Sequence, residues 1–391
     1  MTFESIKQQE NEYIMHSYGR VEVALVKGKN AVAYDVNQKE YIDFTSGIGV
    51  NSLGFCDDEW VQAVQKQAAE LQHISNYYYS PVNTRLAEKL AKASGLSKSF
   101  FGNSGAEANE CAIKVARKYG EKFGADKVIT LKDSFHGRTI TTLKATGQET
   151  FHQHFQPLTE GFLYAEKESI VSIENQLDGT VCAIFIELIQ GEGGVIPLSK
   201  EFVQDLRKLC DEKNVLLMVD EVQTGIGRTG TFFAYQDFGI LPDVVTTATG
   251  LGGGLPPLPI GVCIVNEKLK DIFQPGLHGS TFGGNPVVCA GALVVMDRVC
   301  RESFLEEVKE KAEYIRAQLE QMEEVELVRG KGLMIGVQLR HKEAKAVLLA
   351  CAQKGLLVLT AKDLIRFLPP LTITKKEIDR GLCIFREIIS E

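Results

Sequence analysis

The chain has 391 residues, 44% of them hydrophobic, enough for a large core shared between two lobes. Its net charge of −8 argues against nucleic acid as the main partner, because phosphate binding needs an excess of Lys and Arg on one face. No run approaches the roughly 20 apolar residues of a membrane span, and the opening MTFESIKQQENEY lacks the apolar core of a secretion signal. A cytoplasmic protein acting on small molecules, with no membrane partner, is expected.

The first patterned stretch, VEVALVKGKNAVAYDV from residue 21, reads as strands, and residues 1–44 are expected to join a smaller lobe. From about residue 100 to 265, short apolar runs alternate with amphipathic stretches: KVITL, VCAIFIEL, VLLMVDEV, VVTTA and IGVCIV. That alternation predicts an α/β fold with a parallel sheet and helical crossovers. EFVQDLRKLCDEK sets Phe202, Leu206 and Leu209 on one helical face just ahead of VLLMVDEV, as a crossover helix feeding a buried strand would. Past residue 300, SFLEEVKEKAEYIRAQLEQM repeats Leu305, Val308, Ala312, Ile315 and Leu319 at helical spacing, followed by strand-like VELVRG and GLMIGVQL. The expected division is a large lobe over 45–290 and a smaller α+β lobe over 291–391. The nine cysteines stand singly among apolar neighbours, with neither CxxC pairs nor His clusters, and read as reduced core thiols rather than metal ligands.

Two segments carry chemistry. In VLLMVDEVQTGIGRTG, residues 215–230, an apolar strand runs into Asp220 and Glu221, and an acidic residue at a strand's carboxyl end faces a ligand crevice. Gly225, Gly227 and Gly230 fit the dinucleotide pattern G-x-G-x-x-G, but Asp220 to Thr224 intervene after the strand, so the nicotinamide reading is weak. In FGNSGAEANECAIKVARKYG, the residues Ser104, Gly105 and Ala106 open a helix whose amides suit an anion. Ser104 with Glu107 fits an ordinary capping box equally well. Together the segments offer an anion cradle and a carboxylate for a pyridinium nitrogen, which is what pyridoxal phosphate requires.

In this order, NSGAEANE, SFHGRT, FIELIQGEGG, VDEVQTGIGRTG, HGSTFGGNP and IRFLPP resemble the class III pyridoxal-phosphate-dependent aminotransferases, over nearly the whole chain from YGRVEVALVKG onward. SGIGVNSLG, VRGKGLMIGVQL and GLLVLTAKDLIRFLPPLTI look like the acetylornithine and succinylornithine branch. The resemblance implies fold-type I, with a large, mostly parallel sheet lobe and a smaller lobe. It further implies transfer of the δ-amino group of N-acetylornithine to 2-oxoglutarate in arginine biosynthesis. By the same resemblance Asp220 would pair with the ring nitrogen, Gln223 with the phenolic oxygen, and Phe135 would stack on the ring. Gly105 and Ala106, beside Ser104, would bind the phosphate. Arg138 would hold the substrate's α-carboxylate, and Arg366 a second carboxylate that Glu192 neutralises when ornithine-type amines bind. Ser280 and Thr281 would act on the neighbouring subunit's site, implying a homodimer with shared sites. Taken singly, Phe135 also fits a core aromatic, Arg138 and Arg366 fit surface arginines, and His136 and His278 fit structural histidines.

The pattern breaks at PDVVTTATGLGGG, where Thr249 stands at the place of the family's cofactor-bonding lysine, and no lysine occurs between Lys213 and Lys268. A threonine hydroxyl neither condenses with an aldehyde nor takes up a proton readily at neutral pH. GLGGGLPPLPIG also carries about three extra residues around Pro256 to Pro259, and Leu188 replaces a frequent proline. Two functions therefore stand beside the lead: a non-catalytic binder of pyridoxal phosphate or its amine adducts, and an aminotransferase for succinylornithine, ornithine or 4-aminobutyrate.

Overall fold

The computed structural model describes residues 1–253 and 259–391. Its seven-stranded sheet has the order Lys98–Gly102, Gly261–Val265, Val244–Thr247, Leu216–Asp220, Val181–Glu187, Lys127–Leu131 and Phe162–Ala165. From Val244–Thr247 outward to Phe162–Ala165 the neighbours are parallel. Every residue of Val181–Glu187 and Leu216–Asp220 is buried, which accounts for runs that are continuously apolar rather than alternating.

One strand departs from the expected parallel pattern. Gly261–Val265 runs antiparallel to both neighbours, Val244–Thr247 and Lys98–Gly102. A parallel return needs a crossover of a dozen or more residues, usually a full helix. Between Thr247 and Gly261 the described residues form only the four-residue helix Thr249–Gly252. The strands Lys98–Gly102 and Phe162–Ala165 also escaped the periodicity reading, being short and each half-buried at a sheet edge.

The helix Gly105–Gly120 packs on the sheet through Ala108, Cys111, Ala112, Val115 and Ala116, and Lys200–Lys213 does so through Phe202, Leu206 and Leu209. The N-terminal strands Leu25–Lys29, Val32–Asp35 and Glu40–Asp43 form a second sheet, completed in parallel by Leu356–Leu357 from the C-terminal part. Val325–Lys331, Met334–Leu339, Leu364–Phe367 and Leu359–Ala361 form a third, against which Glu302–Leu319 and Ala344–Lys354 pack, while Lys375–Ser390 packs on Glu40–Asp43 and Leu356–Leu357 of the second. Phe44, Phe367 and Phe385 meet edge to face at 5.1 and 5.2 Å, and Gly381 leaves room for the Phe44 ring. No helix among the described residues is long and apolar enough to cross a membrane.

Candidate active site

The parallel strands reverse their order of succession between Lys127–Leu131 and Val181–Glu187, and a crevice opens beyond carboxyl ends at such a point. There lies a cavity of about 530 Å³ whose lining includes Gly105, Ala106, Phe135, Arg138, Glu192, Asp220, Gln223 and Thr249. These eight are among the residues singled out from sequence.

Asp220 ends its strand and is 5% exposed. Its Oδ2 accepts from Asn109 Nδ2 at 2.8 Å and lies 2.9 Å from His136 Nδ1, while Oδ1 accepts from Val222 N at 3.0 Å. An Nδ1 that donates to a carboxylate carries the ring proton, leaving Nε2 bare; that atom is buried and has no partner among the described residues. The His136 ring stacks on Phe185 at 4.3 Å, so it holds Asp220 in place. Neither Asn109 nor His136 received a role from sequence. Asn109 stands one helical turn beyond Gly105 on the same face, a spacing that was there to be read.

Ser104 caps the helix Gly105–Gly120 by accepting from Glu107 N at 3.1 Å. The Glu107 carboxylate reaches back to the amide and side chain of Asn103 rather than to Ser104, so the capping box is displaced by one residue. First-turn amides have no intrahelical acceptor. A Cβ on Gly105 would stand 2.8 Å from Val222 Cγ1, so only glycine lets the helix start approach the cavity floor this closely.

Phe135 is half-buried, and its amide donates to Glu187 Oε2 at 2.8 Å. Glu187 also accepts from Gly191 N at 3.3 Å; burial first, then the neighbouring charge of Asp220, pushes its carboxyl well above the ordinary range. Arg138 is exposed, with its guanidinium 4.4 Å from the Phe151 ring centroid and 5.6 Å from that of Phe135. Arg366 is 3% exposed, which removes the surface-arginine alternative for it. Its Nη1 donates to Glu192 Oε1 at 2.6 Å and to Gln223 Oε1 at 3.3 Å. That leaves the Gln223 amide nitrogen as the atom able to donate into the cavity.

Ser46, Gly47, Ile48 and Gly49 form a left-handed turn, with φ of 41°, 61°, 65° and 76°, and Gly47 and Ile48 line the cavity. A β-branched residue in that region costs of order 1–3 kcal/mol. Ser280 and Thr281 lie outside this cavity. Ser280 Oγ accepts from Asn103 Nδ2 at 3.2 Å and from Gly283 N at 3.0 Å, and exposed Thr281 borders a separate depression with Asn76 and Tyr79. Gly225 to Gly230 form a turn with Gly227 and Gly230 at positive φ that opens no helix, the next being the four-residue Tyr235–Phe238, so the dinucleotide pattern lacks its structural context.

Thr249 is half-buried on the cavity wall, and its Oγ1 donates to Val222 O at 2.8 Å. No lysine lines the cavity. The extra residues at 256–258 lie outside the described residues. Leu188 is fully buried, its carbonyl accepting from Leu198 N at 2.9 Å. Against pyridoxal phosphate, the site matches the group's parts unevenly. The close-packed Gly105, the clamped Asp220 and the Phe135 wall fit its phosphate, pyridinium and ring, whereas Thr249 does not fit its covalent attachment.

The family model described as Aminotransferase class-III matches residues 13–389. The chain is 46% identical to an acetylornithine aminotransferase of Haemophilus ducreyi over the full length of both. It is 47% identical to one of Aquifex aeolicus, over 96% of this chain and 100% of that one. Among solved structures, an ornithine aminotransferase from Toxoplasma gondii superposes with a TM-score of 0.95 at 30% identity, covering 100% of this chain and 95% of that one. An N-acetylornithine aminotransferase from Stenotrophomonas maltophilia does so with a TM-score of 0.84 at 35% identity, over 98% of each.

Proposed function

The chain belongs to the class III aminotransferases, which use pyridoxal phosphate, and from that premise we propose that its cavity transfers the δ-amino group of N-acetylornithine to 2-oxoglutarate, a step of arginine biosynthesis. The observation that carries the substrate reading is the Arg366–Glu192 pair, 2.6 Å apart beside the cavity. A pair that is internally neutral suits an amine donor with no second carboxylate, and one that opens frees a guanidinium for the distal carboxylate of 2-oxoglutarate.

Gly105, Ala106, Gln223, Asp220 and Phe135 would hold the cofactor's phosphate, phenolic oxygen, pyridinium nitrogen and ring face. When bound, the cofactor supplies an electron sink for the pair released at the substrate carbon. Asn109 and His136 at Oδ2 and the Val222 amide at Oδ1 hold the Asp220 carboxylate, which would pair with the ring nitrogen. Exposed Arg138 at the mouth would take the substrate's α-carboxylate with its guanidinium fork. Ser280 and Thr281 would serve the site of a second subunit in a homodimer. Thr249, bonded to Val222 O, takes no proton, and a missing general base costs about 10²- to 10⁴-fold.

The substrate reading is tested by supplying the missing group. The Thr249→Lys variant should turn over N-acetylornithine with a higher kcat/KM than succinylornithine, ornithine or 4-aminobutyrate. A clear preference for 4-aminobutyrate would overturn the assignment.

A further inference from the structure

Among the described residues that line the cavity, no cation stands beside Thr249. Arg366 is bound to Glu192 and neutral as a pair, Arg138 is exposed at the mouth, and Asp220 accepts from Asn109 and Val222 with the buried carboxyl of Glu187 nearby. Lys167 and Lys362 are both tied to Asp133, at 2.9 and 2.6 Å, and line no part of the cavity. Thr249 lines the cavity at the position where the resemblance places a lysine. Its hydroxyl proton is committed to Val222 O, while its oxygen keeps lone pairs able to accept an N–H from inside the cavity.

A ligand that brings an ammonium finds an acceptor at Thr249, and one that brings an aldehyde finds no bonding partner there. We propose that the chain is a selective, non-covalent binder of the amine form of its cofactor, pyridoxamine 5′-phosphate, in preference to the aldehyde form, with Thr249 as the residue that sets the preference. The inference rests on the class III reading for the identity of the cofactor. Both forms present the same phosphate, ring nitrogen and ring face to Gly105, Ala106, Asp220 and Phe135. The difference lies at the one carbon beyond the ring. A lysine would reward the aldehyde there with a covalent bond and would repel an ammonium. Threonine offers the aldehyde no bond and offers the ammonium an uncharged acceptor.

The test is equilibrium dialysis of the cofactor-free native chain against pyridoxamine phosphate and pyridoxal phosphate in parallel, followed by borohydride reduction and intact mass of the pyridoxal sample. The native chain should bind the amine form at least about tenfold more tightly, a difference of 1.4 kcal/mol, and retain no added mass. Thr249→Lys should reverse the preference and retain one phosphopyridoxyl group. Equal or tighter binding of the aldehyde form by the native chain, or mass retained on it, overturns the proposal. So does binding of neither form by the native chain. In that last case, binding by Thr249→Lys leaves the aminotransferase reading standing, whereas binding by neither chain removes both. The native comparison decides by itself if the variant does not fold.

Discussion

Arg366 holds a full charge almost out of contact with water, and its Nε has no partner among the described residues. What stabilises the charge is Glu192, backed by Gln223, so the side chain is poised to prefer an incoming carboxylate whenever Glu192 turns away. A hydrogen bond to a charged group is worth about 1.5–3 kcal/mol. Arg366→Ala should therefore weaken binding of 2-oxoglutarate by about 10- to 100-fold in titration calorimetry, with little effect on N-acetylornithine. Equal loss for both ligands would remove the switch. Glu221, next to Asp220 but turned into the core, gives a prediction in pH. Burial lifts its carboxyl from 4.5 to about 7, against hydrogen bonds from Thr224 and the Tyr235 amide. A raised folded value means that its contribution to stability is full below the unfolded value and is lost as pH rises through the folded one. Native stability to urea should therefore fall between pH 4.5 and about 7 more steeply than that of Glu221→Gln, by up to about 3 kcal/mol at 1.36 kcal/mol per pH unit. Parallel slopes would contradict the buried ionisation. Of these residues, Asp220 was legible in the sequence because an apolar strand ends on it. Glu192 and Arg366 are 174 positions apart and meet only through the fold, so family resemblance alone had paired them.

The helix Gly105–Gly120 joins the sheet to the site by bringing its first turn against Val222. The small residues and the capping serine announced a helix start in the sequence, but not the contact across the cavity floor. Gly105→Ala should push that turn off Val222. We expect at least an order of magnitude loss in affinity for pyridoxamine phosphate by equilibrium dialysis, with helical circular dichroism retained. Unchanged affinity would mean that the phosphate binds elsewhere. The left-handed turn at Ser46–Gly49 is the element least accessible to sequence reasoning. A β-branched isoleucine resists such backbone, and local hydrogen bonds to Asp43 and Thr45 are backed by long-range ones: Ser46 Oγ donates to Leu368 O at 2.6 Å, and Ser52 Oγ to Gly250 O at 2.6 Å. The antiparallel strand Gly261–Val265 was hidden for a related reason, since an apolar run states that a strand is buried and not which way it points.

Across the whole molecule, the C-terminal part is joined to the turn that follows Asp220. Buried Arg228 of the GIGRTG turn donates to the carbonyls of Leu333 and Pro369 and ties them to it. Tyr77, Tyr79 and Phe282 are 95%, 99% and 63% exposed near Thr281, a surface that suits the proposed second subunit. The proposed aminotransferase cavity has Thr249 on its wall, where the resemblance places the cofactor-bonding lysine. The most direct measurement is kcat for N-acetylornithine with 2-oxoglutarate, compared between the native chain and Thr249→Lys under saturating pyridoxal phosphate. The account requires the native rate to be lower by about 10² or more, with lysine at 249 restoring it. A native rate equal to or above that of the variant would contradict it.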